Sequence, residues 1–145
     1  MNQTRDIDIL LATYGVSHRN HTNELIHMVC VPVIVFSLLG SLWWIHPLVA
    51  IAVSAGALWY YLKLSRPFAI GMLVMSLLML GVLGAMPPQA VLPLSLALFV
   101  LAWIGQFIGH QIEGKKPSFI DDLRFLLIGP LFVLGFLYRR MKLAY

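Results

Sequence analysis

The chain has sixteen formally charged side chains, and they fall into five short clusters: Arg5–Glu24, Lys63–Arg66, Glu113–Lys116, Asp121–Arg124 and Arg139–Lys142. Most of the remaining sequence is four uncharged apolar runs, Met28–Ile45, Leu48–Leu62, Phe68–Met86 and Val91–Ile108, each of about 15–20 residues. An apolar helix of roughly 20 residues crosses the ~30 Å hydrocarbon core of a bilayer. It does so because lipid offers no hydrogen bonds, so every backbone N–H must find its partner inside the segment. With 60% hydrophobic and only 11% charged residues, the chain is far from the ~25% charge of soluble domains. Most of its apolar surface must therefore meet lipid or other helices.

The breaks between the runs are turn signals. His46-Pro47 divides the first from the second, Lys63-Leu64-Ser65-Arg66-Pro67 ends the second, and Pro87-Pro88 closes the third. Such short connections make neighbouring helices antiparallel. His46-Pro47 and Pro87-Pro88-Gln89 carry no Lys or Arg, so the positive-inside tendency places the N-terminus, Lys63–Arg66 and Lys115–Arg124 in the cytoplasm. The stretch Phe125–Tyr138 is short, broken by Gly129-Pro130 and flanked by basic residues. We read Ser118–Tyr138 as a re-entrant or interfacial hairpin packed against protein, with a fifth crossing as the alternative.

The expected fold is thus an all-α integral membrane protein with four transmembrane helices plus a C-terminal re-entrant or interfacial helical hairpin. It forms one domain over residues 1–145: a cytoplasmic segment at 1–27, a four-helix bundle at 28–110, and a cytoplasmic loop and hairpin at 111–145. The net charge of +4 sits beside apolar runs, which favours membrane topology and anionic headgroups over nucleic acid. The single cysteine, Cys30, excludes an intrachain disulfide. No early apolar segment resembles a cleavable signal peptide. Gly105 and Gly109 form a GxxxG that permits close helix approach, expected inside the bundle ahead of a homo-oligomer interface.

Histidines supply the chemistry. By this topology His18, His21, His27 and His110 meet one membrane face, and His46 the other. Trp103, Gln106, His110 and Glu113 are spaced 3, 4 and 3, which puts them on one helix face, turned inward where their polar groups find partners. His18 and His27 are nine residues apart and would point about 180° from each other on one helix. A shared metal therefore needs a break between them. Asn20, Thr22 and Asn23 are N-cap residue types, and Glu24 suits a first turn, so a helix starting near Thr22 supplies that break. His21 reads as a solvated loop residue. Asp121 is either a helix cap in Ser118-Phe119-Ile120-Asp121 or a group supporting the site. Imidazole suits several transition metals; a histidine site with open positions, which Glu113 or Asp121 could complete, fits non-haem iron or catalytic zinc. A b-type haem protein, a non-enzymatic membrane protein and a zinc hydrolase remain alternatives at this level, although there is no HExxH motif for the last.

Two motifs carry a specific likeness. Tyr14-x3-His18-x-Asn20-x2-Asn23-x3-His27 with Pro32, and Trp103-x2-Gln106-x2-Gly109-His110 with Glu113, Pro117 and Asp121, together resemble the Mpo1-like family of membrane dioxygenases. The motifs bracket the four apolar segments, so the likeness covers nearly the whole chain. It implies an Fe(II)-dependent enzyme of fatty-acid α-oxidation. Such an enzyme uses dioxygen to cleave C1–C2 of a long-chain 2-hydroxy fatty acid, giving an acid one carbon shorter. His18, His27 and His110 map onto the family's histidines as metal ligands, with Asn20, Asn23, Gln106 and Asp121 as supporting catalytic residues. Tyr14, Arg19, Trp103, Glu113 and Lys116 are the substrate-binding candidates; Arg19, Lys115 or Lys116 could attract the carboxylate, while ordinary topology and headgroup contact account for most of the cations. Glu113 stands three positions after His110, where the family's carboxylate often stands four. The expected location is a bacterial inner membrane (the endoplasmic reticulum in a eukaryote), with the site on the cytoplasmic face.

Overall fold

A computed structural model describes residues 5–115 and 125–145. Among these residues the chain is all-helical, with six helices: α1 Asp6–Gly15, α2 His21–Ile45, α3 Pro47–Leu64, α4 Arg66–Ala85, α5 Pro88–Glu113 and α6 Ile128–Arg140. The expected four long apolar helices are α2 to α5. At 1.5 Å per residue, the 18 residues of α3 reach about 27 Å and the 26 of α5 about 39 Å. Each is long enough to cross a bilayer. The most apolar window of every one is at most 33% buried, and residues such as Val29, Leu48, Leu78 and Leu101 point outward. Exposed apolar surface on this scale suits lipid and not water. The protein is a multi-pass membrane protein.

Helix boundaries follow local chemistry. Asn20 caps α2, its Oδ1 accepting the Thr22 N–H at 2.9 Å and the Asn23 N–H at 3.5 Å. The break expected between His18 and His27 is therefore present, and α2 begins seven residues before the apolar run at Met28. His46 caps α3, its Nδ1 accepting the Leu48 N–H at 3.2 Å. Pro47, Pro67 and Pro88 each stand in the first turn of a helix, where the missing N–H costs nothing.

Helix α1 was not among the expected elements. Ile7, Leu10, Leu11 and Tyr14 recur at the i, i+3, i+4, i+7 spacing of one helix face. Asp6 and Asp8 occupy the first turn, favourable at the positive end of the dipole. Ile7 and Tyr14 are buried. The polar average of the N-terminal segment hid that short apolar stripe.

Helices α2 and α5 make the most extensive contact in the bundle and run antiparallel, with Gly109 facing Asn23 at one end and Gly40 facing Ser95 at the other. The GxxxG lies in this seam: Gly105 faces Cys30, and Gly109 faces Asn23 and His27. It is used within the chain, as expected. Helices α3 and α4 complete the bundle.

Helix α6 has 13 residues, about 20 Å, which is short of a crossing. Ser118–Arg124, the first arm of the expected hairpin, lies outside the described residues. Near its start α6 is tied to the end of α3, where Tyr61 Oη donates to the Leu127 carbonyl at 2.8 Å. Near its end it is tied to the start of α4, where Tyr138 Oη donates to the Pro67 carbonyl at 2.8 Å. Both ties lie at the bundle end that carries His18, His27 and His110. There Leu131 and Phe132 of α6 join Ile7 and Tyr14 of α1 with Phe68 and Met72 of α4 in one buried cluster. Helices α1 and α6 together cover that end.

Candidate metal centre

Three elements bring one histidine each to a single point. His18 ends the turn after α1, His27 lies in the second turn of α2, and His110 lies one turn from the end of α5. Their relative exposures are 7%, 1% and 5%, so all three rings are withdrawn from solvent and lipid. Ring centroids are 4.2 Å apart for His18 and His27, 5.0 Å for His27 and His110, and 5.9 Å for His18 and His110. One ring nitrogen from each falls within 4.8 Å of the others.

Two of the rings are oriented by the same local device. His18 Nδ1 lies 2.8 Å from the Tyr14 carbonyl and His27 Nδ1 lies 2.9 Å from the Asn23 carbonyl, each four residues back. A carbonyl only accepts, so each Nδ1 carries the proton, and the neutral ring presents its Nε2 lone pair. A backbone partner of this kind is what fixes the tautomer and angle of a metal-ligating histidine. His18 at the same time satisfies a carbonyl at the C-terminal end of α1. Tyr14 also stacks on the His18 ring at 4.2 Å and 9°. Three convergent imidazoles suit iron, zinc, copper or nickel, so the donor set fits a transition metal.

The linker between α1 and α2 is held from the far end of α5. Glu113 Oε1 accepts the Arg19 N–H at 2.9 Å. Its Oε2 accepts the Asn20 N–H at 2.8 Å and Asn23 Nδ2 at 3.1 Å. Asn23 is fully buried and its Nδ2 also donates to the Ser17 carbonyl at 3.1 Å. Lys115 Nζ adds bonds to the Val16 carbonyl at 3.2 Å and Ser17 Oγ at 3.3 Å. One carboxylate and one buried amide thus set where His18 stands relative to His27.

A family model described as 2-hydroxy-palmitic acid dioxygenase Mpo1-like matches residues 4–141. The chain belongs to the Mpo1-like family. It is 33% identical over 139 residues to the 2-hydroxy-palmitic acid dioxygenase MPO1 of Saccharomyces cerevisiae, a match covering 89% of this chain and 78% of that relative. No solved structure matches.

In this Mpo1-like chain the remaining candidates take distinct places. Trp103 and Gln106 are buried on α5 about two turns and one turn before His110, and with Tyr14, Val31 and Gly129 they line a small hollow. Asn20 is exposed and serves α2 as its cap. Arg19 reaches Glu113 through its backbone, its side chain lying at the surface. Lys116 and Asp121 lie outside the described residues. His21 is exposed, 3.7 Å from Glu24, and His46 is at the opposite end, so both stand apart from the cluster as expected. Sequence reasoning missed Phe132 of α6, whose ring lies 5.6 Å from His18 and 5.0 Å from Tyr14. No pattern in the sequence marks it, because its role comes from docking.

Close approach of α5 to α2 depends on Gly109. A Cβ there would collide with Asn23 Oδ1 and lie 3.3 Å from His27 Cε1. The Asn23 amide is held through its Nδ2 bonds and yields poorly. Overpacking costs about 1–3 kcal/mol, against a gain of about 1 kcal/mol for replacing a mid-helix glycine. Gly109→Ala is therefore expected to lower the thermal midpoint in detergent by a few degrees and to weaken metal binding. A midpoint at or above that of the parent would contradict the close contact.

Proposed function

We propose that this protein is a 2-hydroxy fatty acid dioxygenase of fatty-acid α-oxidation, in which His18, His27 and His110 hold Fe(II). The observation that carries the reading is the buried three-histidine cluster in a chain similar along most of its length to a 2-hydroxy-palmitic acid dioxygenase. When bound, Fe(II) supplies open coordination positions and the redox chemistry that lets dioxygen attack the C1–C2 bond.

The residues do the rest by position. Tyr14 and Asn23 aim two imidazoles through their carbonyls, and Gln106, on the His110 face of α5, lines the small hollow beside Tyr14. Helices α1 and α6 cover the site and keep bulk water from it, which strengthens every polar interaction inside. Arg19 at the linker and Lys115 after α5 give the rim a positive charge that attracts a carboxylate. Their topological role accounts equally for their presence. Glu113 we assign to holding the linker, ahead of direct substrate contact. The basic residues Lys63, Arg66, Lys115 and Arg139 flank the site end, whereas the His46-Pro47 and Pro87-Pro88 turns carry no Lys or Arg, which supports a site on the cytoplasmic face of a bacterial inner membrane, or of the endoplasmic reticulum in a eukaryote. Helix α6, tied to the bundle near both of its ends at one face, is an interfacial or re-entrant element and not a crossing.

Purified protein in nanodiscs, loaded anaerobically with Fe(II) and then given air and 2-hydroxyhexadecanoic acid, is expected to form pentadecanoic acid. Stoichiometric iron with no shortened acid by mass spectrometry would sink the reading.

A further inference from the structure

Below the metal centre the bundle is not solid. A cavity of about 330 Å³ lies between α2, α3 and α4, roofed by Leu126, Leu127 and Pro130. On α2 its lining runs from Val35 to Ile45, about 15 Å of helix, or half of the ~30 Å hydrocarbon core. That is the depth one lipid acyl chain fills. The smaller hollow at Tyr14, Trp103 and Gln106 has Leu126 as a wall too, and Tyr14 stacks on His18. The two spaces therefore follow one another along α2, from the histidines towards the opposite end of the bundle, with Leu126 between them.

The lining makes the lower cavity a hydrocarbon slot. Three of its hydroxyls are already engaged by backbone: Ser41 Oγ donates to the Ser37 carbonyl at 2.9 Å, Ser54 Oγ to Ala50 at 2.8 Å, and Tyr61 Oη to Leu127 at 2.8 Å. Its other walls are residues such as Leu38, Leu42, Val53 and Met72. A carboxylate or hydroxyl placed there would lose its water and gain little, so a ligand enters with its polar head at the histidines and its tail below.

We infer that this cavity is the alkyl-chain subsite, taking the tail of the 2-hydroxy acid whose head lies at His18, His27 and His110. The inference rests on the proposed activity for the identity of the head group. It adds that chain length is selected here, by α2, α3 and α4, and not at the metal. Because the tail leaves one apolar medium for another, the cavity contributes fit and register more than affinity. Register matters, since it sets C1 and C2 at the metal.

Two experiments test it. Ser54 of α3 and Ser76 of α4 both line the cavity, each ten residues, about 15 Å of helix, from the end of its helix nearest the histidines, and Ser54→Leu and Ser76→Leu each fill space there. Each is expected to lower kcat/KM for 2-hydroxyhexadecanoic acid about tenfold while leaving 2-hydroxydecanoic acid within about twofold. An unchanged ratio between the two acids in both variants overturns the inference. Independently of turnover, the unmodified protein is irradiated with 2-hydroxyhexadecanoic acid bearing a diazirine on its terminal carbon. Labels are expected on the cavity side of α2 and α3, near Leu42 and Val53. Labels confined to outward residues such as Val29 and Leu78 overturn the tail site. So does labelling of the cavity by a diazirine phosphatidylcholine that the hydroxy acid fails to displace, which would make it a lipid site. If neither acid is turned over but the cavity still takes the label, it is the activity reading that has failed.

Discussion

Alanine at His27 or at His110 is expected to leave a protein that inserts and folds but retains no stoichiometric iron and turns over no hydroxy acid. Each ring is one of only three histidines at the centre, and the pair left behind cannot enclose an ion from three sides. Loss of a group that merely supports a ligand costs about 10–100-fold in affinity or activity, and loss of the ligand itself exceeds that. Turnover should fall to background, read as oxygen uptake, with iron per protein read by mass spectrometry. His21→Ala and His46→Ala are the controls. His21 is exposed and His46 caps α3 at the other end, so both variants should keep iron and rate. Stability gives a further measure. A ligand that binds only the folded state stabilises it by about 2.7 kcal/mol at a hundred times its Kd. Fe(II) should therefore raise the thermal midpoint of the parent and leave that of the two alanine variants unmoved. Iron retained in full by both variants would place the metal elsewhere.

Glu113→Ala is expected to have the next largest effect, and it should appear in metal affinity before it appears in substrate affinity. The carboxylate accepts the N–H groups of Arg19 and Asn20 and the amide of Asn23. Removing it frees the linker that carries His18. A fall in iron affinity of about 10–100-fold is the scale for such a partner. Glu113→Gln should fall between, because its one carbonyl oxygen can keep the two bonds made by Oε2 while its NH2 now faces the Arg19 N–H. Hydrogen exchange across residues 16–20 should quicken in the order parent, Gln, Ala. A rise in KM with unchanged iron affinity would mean instead that Glu113 meets the substrate.

These two cases differ in how readable they are. The histidine at α5 could be placed from sequence because Trp103, Gln106 and His110 share a helical face, and a face is a property of one segment. The cap at Asn20 was legible for the same reason, since Asn20 bonds residues two and three positions on. Glu113 was not, as its partners lie 90 to 94 residues away. Helix α1 could have been read from Ile7, Leu10, Leu11 and Tyr14, but that stripe is short and lies among polar residues. Phe132 and the cavity roof at Leu126 follow only from where α6 docks.

The charge clusters and the uncharged runs between them determined on their own that this chain is a multi-pass membrane protein with four helices long and apolar enough to span. Transfer into lipid is a cost each residue bears regardless of its neighbours in space, so it can be summed along the sequence. The same distribution supports the side on which the histidines lie. Only the tertiary structure brought His18, His27 and His110 to one point, left the slot between α2, α3 and α4, and gave Glu113 its partners. Those depend on the antiparallel fit of α2 against α5 and on the docking of α1 and α6, contacts between distant segments that no local pattern encodes.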